Sequence, residues 1–585
     1  MWGETSSNLP DYHHPPAEVV KPRNLDRLAT IPRRRQRRAN QFTTALVRNT
    51  MSVGQIVLVL TAVAVSYGFS QELFPLSIIH VNDFHARFDE TNYAGTVCNP
   101  EVGDVCIGGY ARTVTAVKEL LATRENAIFL NAGDNFQGTL WYNLYRWNVT
   151  SRFLNMLPAD AMTIGNHEFD NGVAGVVPFL ETINSTILLC NVDSSDEPEF
   201  VKYEKSMRIE RGGKTIGIIG VILQSTSSIS SSGKLRFLDE PSSVKAEAQK
   251  LKDEGIDIII VLSHCGVDVD KRIAAEGGEN IDIIVGGHSH SFLYSGDNPG
   301  IPGTIHGDYP TVVTQQGGHR VLIVQAAAYT KLVGDIVLYF DDQGIIQRWD
   351  GNPYYLGPEV IPDREIHEAL IPWKQSVDEL GNRIVGATLT DLPQSGCNFR
   401  ECALGNLISD AYVDSCTYLA EPGHWTYAAI GLSNTGGIRV SLAKGELTYK
   451  GLIEVIPFEN TVDIVELRGD RLLQVLEHGA SNSNIQISGL QVVYNMTEPR
   501  GSRVQSVNVR CSDCLVPRYD PLDPFKYYRV AANSHMTGGG GGYTMFEDFG
   551  RNKVVADVDI NALERFVQKR SPLLYGLEGR VTVVY

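Results

Sequence analysis

Five short segments of the chain carry side chains of the kinds that hold divalent metal ions. They contain, in order along the chain, Asp83 and His85, Asp134, Asn166 and His167, His264, and His288 and His290. Carboxylate and amide oxygens mixed with imidazole nitrogens suit divalent transition ions. Two such ions about 4 Å apart, bridged by one carboxylate, are the usual apparatus for displacement at phosphorus. The segments therefore predict a two-metal centre.

Each of these segments follows a short β-rich run, and helix-like segments such as 111–122 and 242–255 separate the runs. The runs are LSIIHV (76–81), AIFLNA (127–132), AMTI (161–164), DIIIVLS (257–263) and DIIVGG (282–287). Apolar strands separated by helices predict an α/β fold with its sheet covered on both faces. Side chains at the carboxyl ends of neighbouring strands converge on one crevice, so we expect the five segments to meet there.

The rest of the chain predicts a second domain. At 585 residues the chain is too long for one typical domain. We expect a first domain at 71–357, a linker helix within 358–383 and an α+β domain at 384–585, with strands near 427–433, 462–467, 490–494 and 527–532. The whole is a two-domain α/β protein.

Charge is unevenly distributed along the chain. The formal net charge is −17, but residues 1–50 carry a net +5, so the remainder carries about −22. An acidic body does not suit a nucleic-acid-binding protein. An anionic substrate would have to be held by metals or by a few arginines.

The first 70 residues resemble a leader. Residues 56–66 form an apolar core, and Gly68 and Ser70 have the spacing of a signal-peptidase site. Met51 precedes this core, so translation could begin there, with 1–50 a basic leader that is not translated and 51–70 a signal peptide. A signal-anchor with a cytoplasmic basic segment is the alternative. We expect cleavage near Ser70, a secreted protein and no stable membrane anchor.

The cysteines fit an extracellular protein. Three pairs are close in sequence and predict local disulfides: Cys98 and Cys106, Cys397 and Cys402, and Cys511 and Cys514. The last pair is a C-x-x-C, for which zinc or redox chemistry is the alternative. Three further cysteines are expected to be buried thiols: Cys190, Cys265 and Cys416. Three sequons predict a glycoprotein: Asn148, Asn184 and Asn495.

The ordered combination of D-x-H, G-D, G-N-H-E and G-H-x-H is far more specific than any one of these motifs. With it, residues 76–290 resemble the metallophosphoesterase domain of the 5′-nucleotidase family, and residues 384–585 resemble the family's C-terminal nucleotide-binding domain. The stretches LFPLSIIHVNDFHARFDETN and LNAGDNFQGTLWYNLYRW are especially similar to salivary apyrases of blood-feeding insects.

The resemblance implies a role for each residue of the centre. One metal would be held by Asp83, His85, Asp134 and His290, and the other by Asp134, Asn166, His264 and His288. His290 departs from relatives that often have Asn or Gln, so zinc, manganese, calcium and magnesium all stay open. His167 would stabilise charge developing on the phosphoryl group, with Asp170 orienting its ring.

The resemblance also implicates residues of the second domain in substrate binding. The segment SNTGGIRVSL points to Asn434, Gly437 and Arg439. In CNFREC, relatives have Arg directly after the first Cys, where this chain has Asn398 and keeps Arg400 two residues later. Phe458 stands where relatives stack the base, although a core Phe is the alternative.

The clearest departure from the family is NSHMTGGGGGY, 533–543. Relatives have an aromatic residue after the Asn and an Asp within the glycine-rich turn, where this chain has Ser534 and glycines. A second stacking face and an acceptor for the ribose hydroxyls would then be missing, unless His535 or Tyr543 replaces them.

We therefore predict an apyrase that hydrolyses extracellular ATP and ADP and prevents ADP-driven platelet aggregation. The first alternative is a 5′-nucleotidase that releases adenosine from AMP. A third hypothesis comes from the R-G-D tripeptide Arg468, Gly469 and Asp470, which would make the protein an integrin-binding antagonist of a platelet receptor with weak hydrolysis. A tight turn between a strand and a helix explains the same tripeptide.

Overall fold

The computed structural model describes residues 72–92, 98, 100, 104–298, 300–398, 400–481 and 485–585. The predicted leader at 1–50 and signal peptide at 51–70 lie outside the described residues. None of the described helices is long and apolar enough to span a bilayer.

The first domain contains two sheets. The strands are β1 Phe74–Val81, β2 Ile128–Asn131, β3 Ala161–Met162, β4 Thr186–Ile187, β5 Val192–Asp193, β6 Ser206–Arg211, β7 Lys214–Ile222, β8 Arg236–Phe237, β9 Ile258–His264, β10 Ile283–Val285, β11 Thr311–Thr314, β12 Arg320–Val324, β13 Leu332–Phe340, β14 Ile346–Gly351 and β15 Tyr354–Tyr355. One sheet has the order β14-β13-β1-β2-β3-β4 with β15 beside β13, and the other β11-β12-β10-β9-β7-β6. β5 and β8 form a separate pair.

Helices cover the outer faces of these sheets. They are α1 Tyr110–Thr123, α2 Leu140–Tyr145, α3 Trp147–Leu154, α4 Val173–Thr182, α5 Thr226–Ile229, α6 Glu240–Asp253 and α7 Val267–Glu276. In α6 the Asp239 side chain caps the N-terminus by accepting from the Ser242 N–H, and Lys250 and Lys252 lie in the last turn, where the helix dipole favours cations. Local sequence therefore sets where this helix begins and ends.

The sequence predicts one sheet, but the strands divide between two sheets that pack face to face. Alternate residues of β1, β2, β7, β9 and β10 form a shared core between the sheets, for example Ile78, Leu130 and Ile260. The intervening residues pack under the helices, as Ile259 does with α6 and α7. Both arrangements bury both faces of a strand, so an apolar run looks the same in either.

Helix α8, Arg364–Gly381, begins at the capping Asp363 and leads into the second domain. The elements that follow are β16 Ile384–Thr388, α9 Ala403–Ser415, β17 Ile430–Asn434, β18 Gly445–Thr448, α10 Tyr449–Val455, β19 Thr461–Arg468, α11 Gly469–Ser481, β20 Ile485–Ser488, β21 Leu490–Asn495, β22 Val504–Arg510, β23 Tyr519–Pro521, β24 Tyr527–Asn533, α12 Ser534–Thr537, α13 Met545–Phe549, β25 Arg551–Val558, α14 Asp559–Arg570 and β26 Val581–Val584. The main sheet has the order β20-β17-β24-β19-β25.

The cysteine prediction is confirmed in the structure. Disulfides join Cys98 to Cys106, Cys397 to Cys402 and Cys511 to Cys514. The three free cysteines, Cys190, Cys265 and Cys416, are buried. The C-x-x-C pair is therefore a disulfide here and not a metal site.

Candidate active site

The five predicted segments meet where the two sheets come together. β1, β2 and β3 run parallel in one sheet, and β9 and β10 run parallel in the other. The loops after β1, β2, β3 and β10 carry most of the predicted residues, whereas His264 is the last residue of β9 itself. The carboxyl ends of both sheets thus bring the predicted side chains to one crevice.

The backbone at this crevice is strained. Five of the predicted metal ligands have a positive φ, between 50° and 73°: Asp83, His85, Asp134, His288 and His290. Residues with a side chain rarely adopt this region, and they persist there only when the surrounding structure enforces it. At Gly165 a Cβ would collide with Asp134 Oδ1 and His264 Nε2, so only glycine fits there.

The first cluster joins the loop after β1 to the loop after β10. His85 Nε2 lies 3.9 Å from Asp83 Oδ1 and 3.8 Å from Asp134 Oδ2. His290 Nε2 lies 3.3 Å from Asp83 Oδ1 and 3.1 Å from His85 Nε2. Two imidazoles and two carboxylates thus face one point.

The second cluster shares Asp134 with the first. His264 Nε2 lies 3.0 Å from Asp134 Oδ2, and His288 Nδ1 lies 2.8 Å from Asn166 Oδ1. Suitable ligand atoms of Asp134, His264 and His288 all lie within 4.8 Å of one another. The combined donor set, with carboxylate, imidazole and amide groups around a shared Asp134, fits a pair of divalent ions.

Backbone carbonyls orient two of the imidazoles. His85 Nδ1 lies 3.2 Å from the Gln137 carbonyl oxygen, and His264 Nδ1 lies 2.6 Å from the Ala132 carbonyl oxygen. A carbonyl can only accept, so each Nδ1 carries a proton, and each Nε2 is the ring nitrogen that faces the cluster.

Burial and neighbouring charge set the protonation of the cluster. Burial would raise the pKa of Asp134, but His264 and His167 hold that pKa well below its ordinary value. Burial would lower the pKa of His264, which Asp134 raises to about 10. Burial keeps the pKa of His85 well below its ordinary value and lowers the pKa of His288 to about 4. The last two imidazoles are therefore neutral at pH 7.

His167 differs from the other histidines in its partner. Its Nδ1–H donates to Asp170 Oδ2 at 2.7 Å, and Ser230 Oγ donates to Asp170 Oδ1 at 2.9 Å. Burial opposes protonation of His167, but Asp170 and Asp134 raise its pKa. Ligand atoms of His85, Asp134 and His167 also lie within 4.8 Å, so distance alone does not separate a ligand from a hydrogen-bond donor. The pairing with Asp170 favours the donor role.

Glu168 organises the loops, a role that the sequence motifs do not predict. Its carboxylate accepts from the backbone N–H groups of Asp134 at 3.1 Å, Asn135 at 2.6 Å, Phe136 at 3.2 Å and Gly165 at 2.6 Å. Burial raises the pKa of Glu168 to about 7. An acid directly after G-N-H, next to a buried strand, was the signal that could have identified it.

Two residues of the second domain reach the metal-binding loops. Arg439 Nη2 lies 3.4 Å from His85 Nε2. The Phe458 ring stacks on the His167 ring at 5.4 Å with 17° between the planes, and the Arg439 guanidinium lies 5.7 Å from the Phe458 ring centre. Phe458 is half-buried beside the crevice and is not enclosed in the core.

The other predicted substrate contacts lie in two groups. Asn434 Oδ1 accepts from Asn533 Nδ2 at 2.7 Å, and Gly437 is buried beside them. Asn398 and Arg400 are exposed in the loop closed by a disulfide. Within the described part of the chain Arg400 forms no ion pair, and the structure gives neither residue a contact with the metal-binding side chains.

The comparisons with known proteins agree with this geometry. Residues 76–292 match the calcineurin-like phosphoesterase family, and residues 381–548 match the 5′-nucleotidase C-terminal domain. An apyrase of Tabanus yao is 47% identical over 522 residues, which cover 87% of this chain and 94% of the relative. The chain belongs to the 5′-nucleotidase family.

Further relatives extend the match. A 5′-nucleotidase-related protein of Glossina morsitans morsitans is 40% identical over 541 residues, covering 89% of this chain and 96% of the relative. The crystal structure of a 5′-nucleotidase precursor from Thermus thermophilus is 33% identical with a TM-score of 0.80, covering 87% of this chain and 99% of that one. The protein is thus a nucleotide phosphohydrolase, and its family implies divalent metal ions.

The R-G-D tripeptide is not displayed as an adhesive loop. Arg468 Nε donates to Asp470 Oδ1 at 2.7 Å, so the two charged residues pair with each other. Gly469 is buried at the start of α11, where a Cβ would collide with the Asp523 carbonyl oxygen. Neither the structure nor the similar proteins support an integrin contact.

Proposed function

We propose that the protein is a secreted, metal-dependent apyrase that hydrolyses ATP and ADP to AMP and phosphate. The convergence of two ligand clusters on Asp134 carries the catalytic part of this proposal. One ion would be held by Asp83, His85, Asp134 and His290, and the other by Asp134, Asn166, His264 and His288. When bound, such a pair supplies a clamp for the attacking and leaving oxygens of an in-line displacement.

The chain's own residues would stabilise the charge that develops on the transferred phosphoryl group. Because the Nδ1–H of His167 is held by Asp170, its other ring nitrogen can donate to a phosphoryl oxygen. The Arg439 guanidinium, 3.4 Å from His85, places a second positive charge beside the same centre. The His167 ring is oriented by Asp170 before substrate binds, so little reorganisation of this ring is needed during the reaction.

The preference for ADP and ATP rests on the altered segment after β24. Ser534 Oγ donates to Asn460 Oδ1, and the Tyr543 ring is buried against His478 at 4.6 Å, so neither offers a second stacking face. His535 is half-buried. Burial lowers its pKa, and the negative charge of Asp170 partly opposes this shift. Of the aromatic side chains named here, Phe458 would be the main stacking contact for the base, and the loss of a second stacking contact costs about 1–3 kcal/mol.

A di- or triphosphate depends less on this grip, because its additional phosphate oxygens can engage arginines and metals. The deciding experiment measures kcat/KM for ATP, ADP, AMP, GDP and UDP with zinc, manganese, calcium and magnesium. We expect ADP and ATP to be cleaved well, AMP poorly, and GDP and UDP to be accepted. A marked preference for AMP over ADP would make the protein a 5′-nucleotidase, the activity for which the Thermus thermophilus relative is named.

The proposal also includes secretion of the protein and an effect on platelets. The three local disulfides support an oxidising compartment. Removal of ADP from blood plasma would then inhibit ADP-driven platelet aggregation. Expression of the full chain in insect cells tests the proposal, since the mature protein should appear in the medium with an N-terminus near Gln71.

A further inference from the structure

A loop that no sequence motif singled out forms part of the wall of the crevice. It follows β12 and comprises residues 327–330, of which Ala327, Tyr329 and Thr330 have φ values of 51°, 62° and 57°. Three side-chain-bearing residues with positive φ in four positions is a strained backbone, and such strain concentrates at functional sites. Apart from the loops that carry the predicted metal ligands, no other described loop has this density of left-handed residues other than glycine.

Hydrogen bonds tie the loop to the first metal cluster. Asn82 Nδ2 donates to the Ala327 carbonyl oxygen at 2.6 Å and to Asp83 Oδ2 at 2.7 Å. The Tyr329 N–H donates to the Asp83 carbonyl oxygen at 2.9 Å. The position of the loop is therefore coupled to the Asp83 carboxylate.

The Tyr329 ring then contacts two of the imidazoles. Its centre lies 5.4 Å from the His85 ring and 5.2 Å from the His290 ring, the latter at 77° between planes. Edge-to-face ring packing of this kind restricts how a neighbouring ring can rotate. The contact matters most for His290, because His85 has a carbonyl partner for Nδ1, whereas none is found for His290 Nδ1 among the described residues.

We propose that Tyr329 is a positioning residue that orients His85 and His290 for binding one metal ion. The inference rests on the proposed two-metal centre and adds to it a residue that is not one of the predicted ligands. Ring packing here takes the part that a hydrogen bond to the second ring nitrogen usually plays for a ligating histidine.

The second domain holds Tyr329 in place. The Arg87 guanidinium lies 4.8 Å from the Tyr329 ring centre, and Arg87 Nη1 lies 3.1 Å from Glu454 Oε1 on α10. Arg87 and Glu454 are 1% and 4% exposed, so this ion pair between the domains is desolvated. The chain of contacts runs from α10 through Arg87 and Tyr329 to the imidazoles.

The test starts from metal-free full-length protein and measures how many Mn²⁺ ions bind and with what affinity. Tyr329→Ala should weaken Mn²⁺ binding at one of two sites by about tenfold, the lower end of the loss typical for removal of a ligand's supporting partner. Tyr329→Phe keeps the ring and should bind like wild type. Tyr203→Ala is the matched control, because Tyr203 is also half-buried and packs on another ring, that of Phe200, at 5.3 Å.

Different outcomes would contradict the positioning role of Tyr329 and the two-metal centre. Two wild-type affinities in Tyr329→Ala would overturn the positioning role, and equal weakening in Tyr203→Ala would do the same by showing a general loss of stability. If Tyr329→Ala does not fold, Tyr329→Leu keeps apolar volume without the ring and should show the same selective weakening. A wild-type protein that binds fewer than two Mn²⁺ or Zn²⁺ ions would instead contradict the two-metal centre.

Discussion

The predicted metal ligands of the first domain and the predicted substrate contacts of the second differ in how far they are buried and hydrogen-bonded. Asp134 is 1% exposed, and its loop is fixed by Glu168 and by neighbouring imidazoles. Arg400 is exposed in the loop closed by a disulfide, and Phe458 contacts the crevice mainly through one ring. Buried, hydrogen-bonded side chains suit the reacting centre, whereas exposed side chains can change with less effect on the surrounding packing.

The largest effect should come from the shared carboxylate. Asp134→Ala should abolish turnover and remove bound metal, because both clusters depend on this side chain. Metal content by elemental analysis and phosphate release from ADP are the measurements. The control is Asp160→Ala, a carboxylate that pairs with Arg211 in the same domain. Full metal content and substantial activity in Asp134→Ala would disprove the assignment.

The next effect separates a charge stabiliser from a ligand. His167→Ala should lower kcat by about 10²–10³ while leaving metal content nearly intact, since a preorganised donor is lost but no ligand is. Asp170→Asn should have a smaller effect in the same direction, because it weakens the hydrogen bond that orients His167 and removes a charge that raises the pKa of His167, but keeps the ring. A parallel fall in metal content would show that His167 is itself a ligand.

A structural effect should follow loss of the Glu168 charge. Glu168→Gln replaces one acceptor oxygen by a donor that faces backbone N–H groups. We expect the free energy of unfolding to fall by about 1–3 kcal/mol, the range for an unsatisfied buried polar group. Urea unfolding measures it, with Glu564→Gln as the control at a partly exposed ion pair. An unchanged free energy of unfolding would mean that the Glu168 carboxylate is not needed to stabilise the loops after β2 and β3.

The second domain should respond mainly in KM. Phe458→Ala should raise KM for ADP about tenfold with a small change in kcat, because one stacking contact is worth about 1–3 kcal/mol. Phe549→Ala is the control, since that ring is exposed and packs under Arg471 away from the crevice. A large fall in kcat with KM unchanged would indicate that Phe458 supports His167 and does not grip the base.

The smallest effect concerns the residue that departs from the family. Ser534→Phe would restore an aromatic side chain after Asn533, and we expect kcat/KM for AMP to rise several-fold while that for ADP changes little. Steady-state kinetics with both substrates measure the ratio. An equal rise for both substrates would contradict the idea that diphosphates depend less on the nucleoside grip.

The sequence alone predicted several of the helices and strands and the candidate metal-binding side chains. β1, β9 and α1 lie within a few residues of the predicted runs, because apolar periodicity reports burial directly. The five segments with candidate metal ligands were recognisable because Asp, Asn and His at the ends of apolar strands are not needed to form a hydrophobic core. Which sheet each strand joins was not determined, because strands buried on both faces carry the same pattern in one sheet or two.

Tertiary structure alone decided how those side chains are held. Three of the four backbone N–H groups that donate to Glu168 belong to residues more than 30 positions away. The contact of Tyr329 with His290 and the ion pair of Arg87 with Glu454 also join residues far apart in the chain. Contacts of this kind produce no periodic pattern in the sequence. A short motif shows which side chain could react, but not which distant residues surround it. The type and order of residues thus predicted the chemistry, whereas its geometry depended on how two sheets and a second domain pack together.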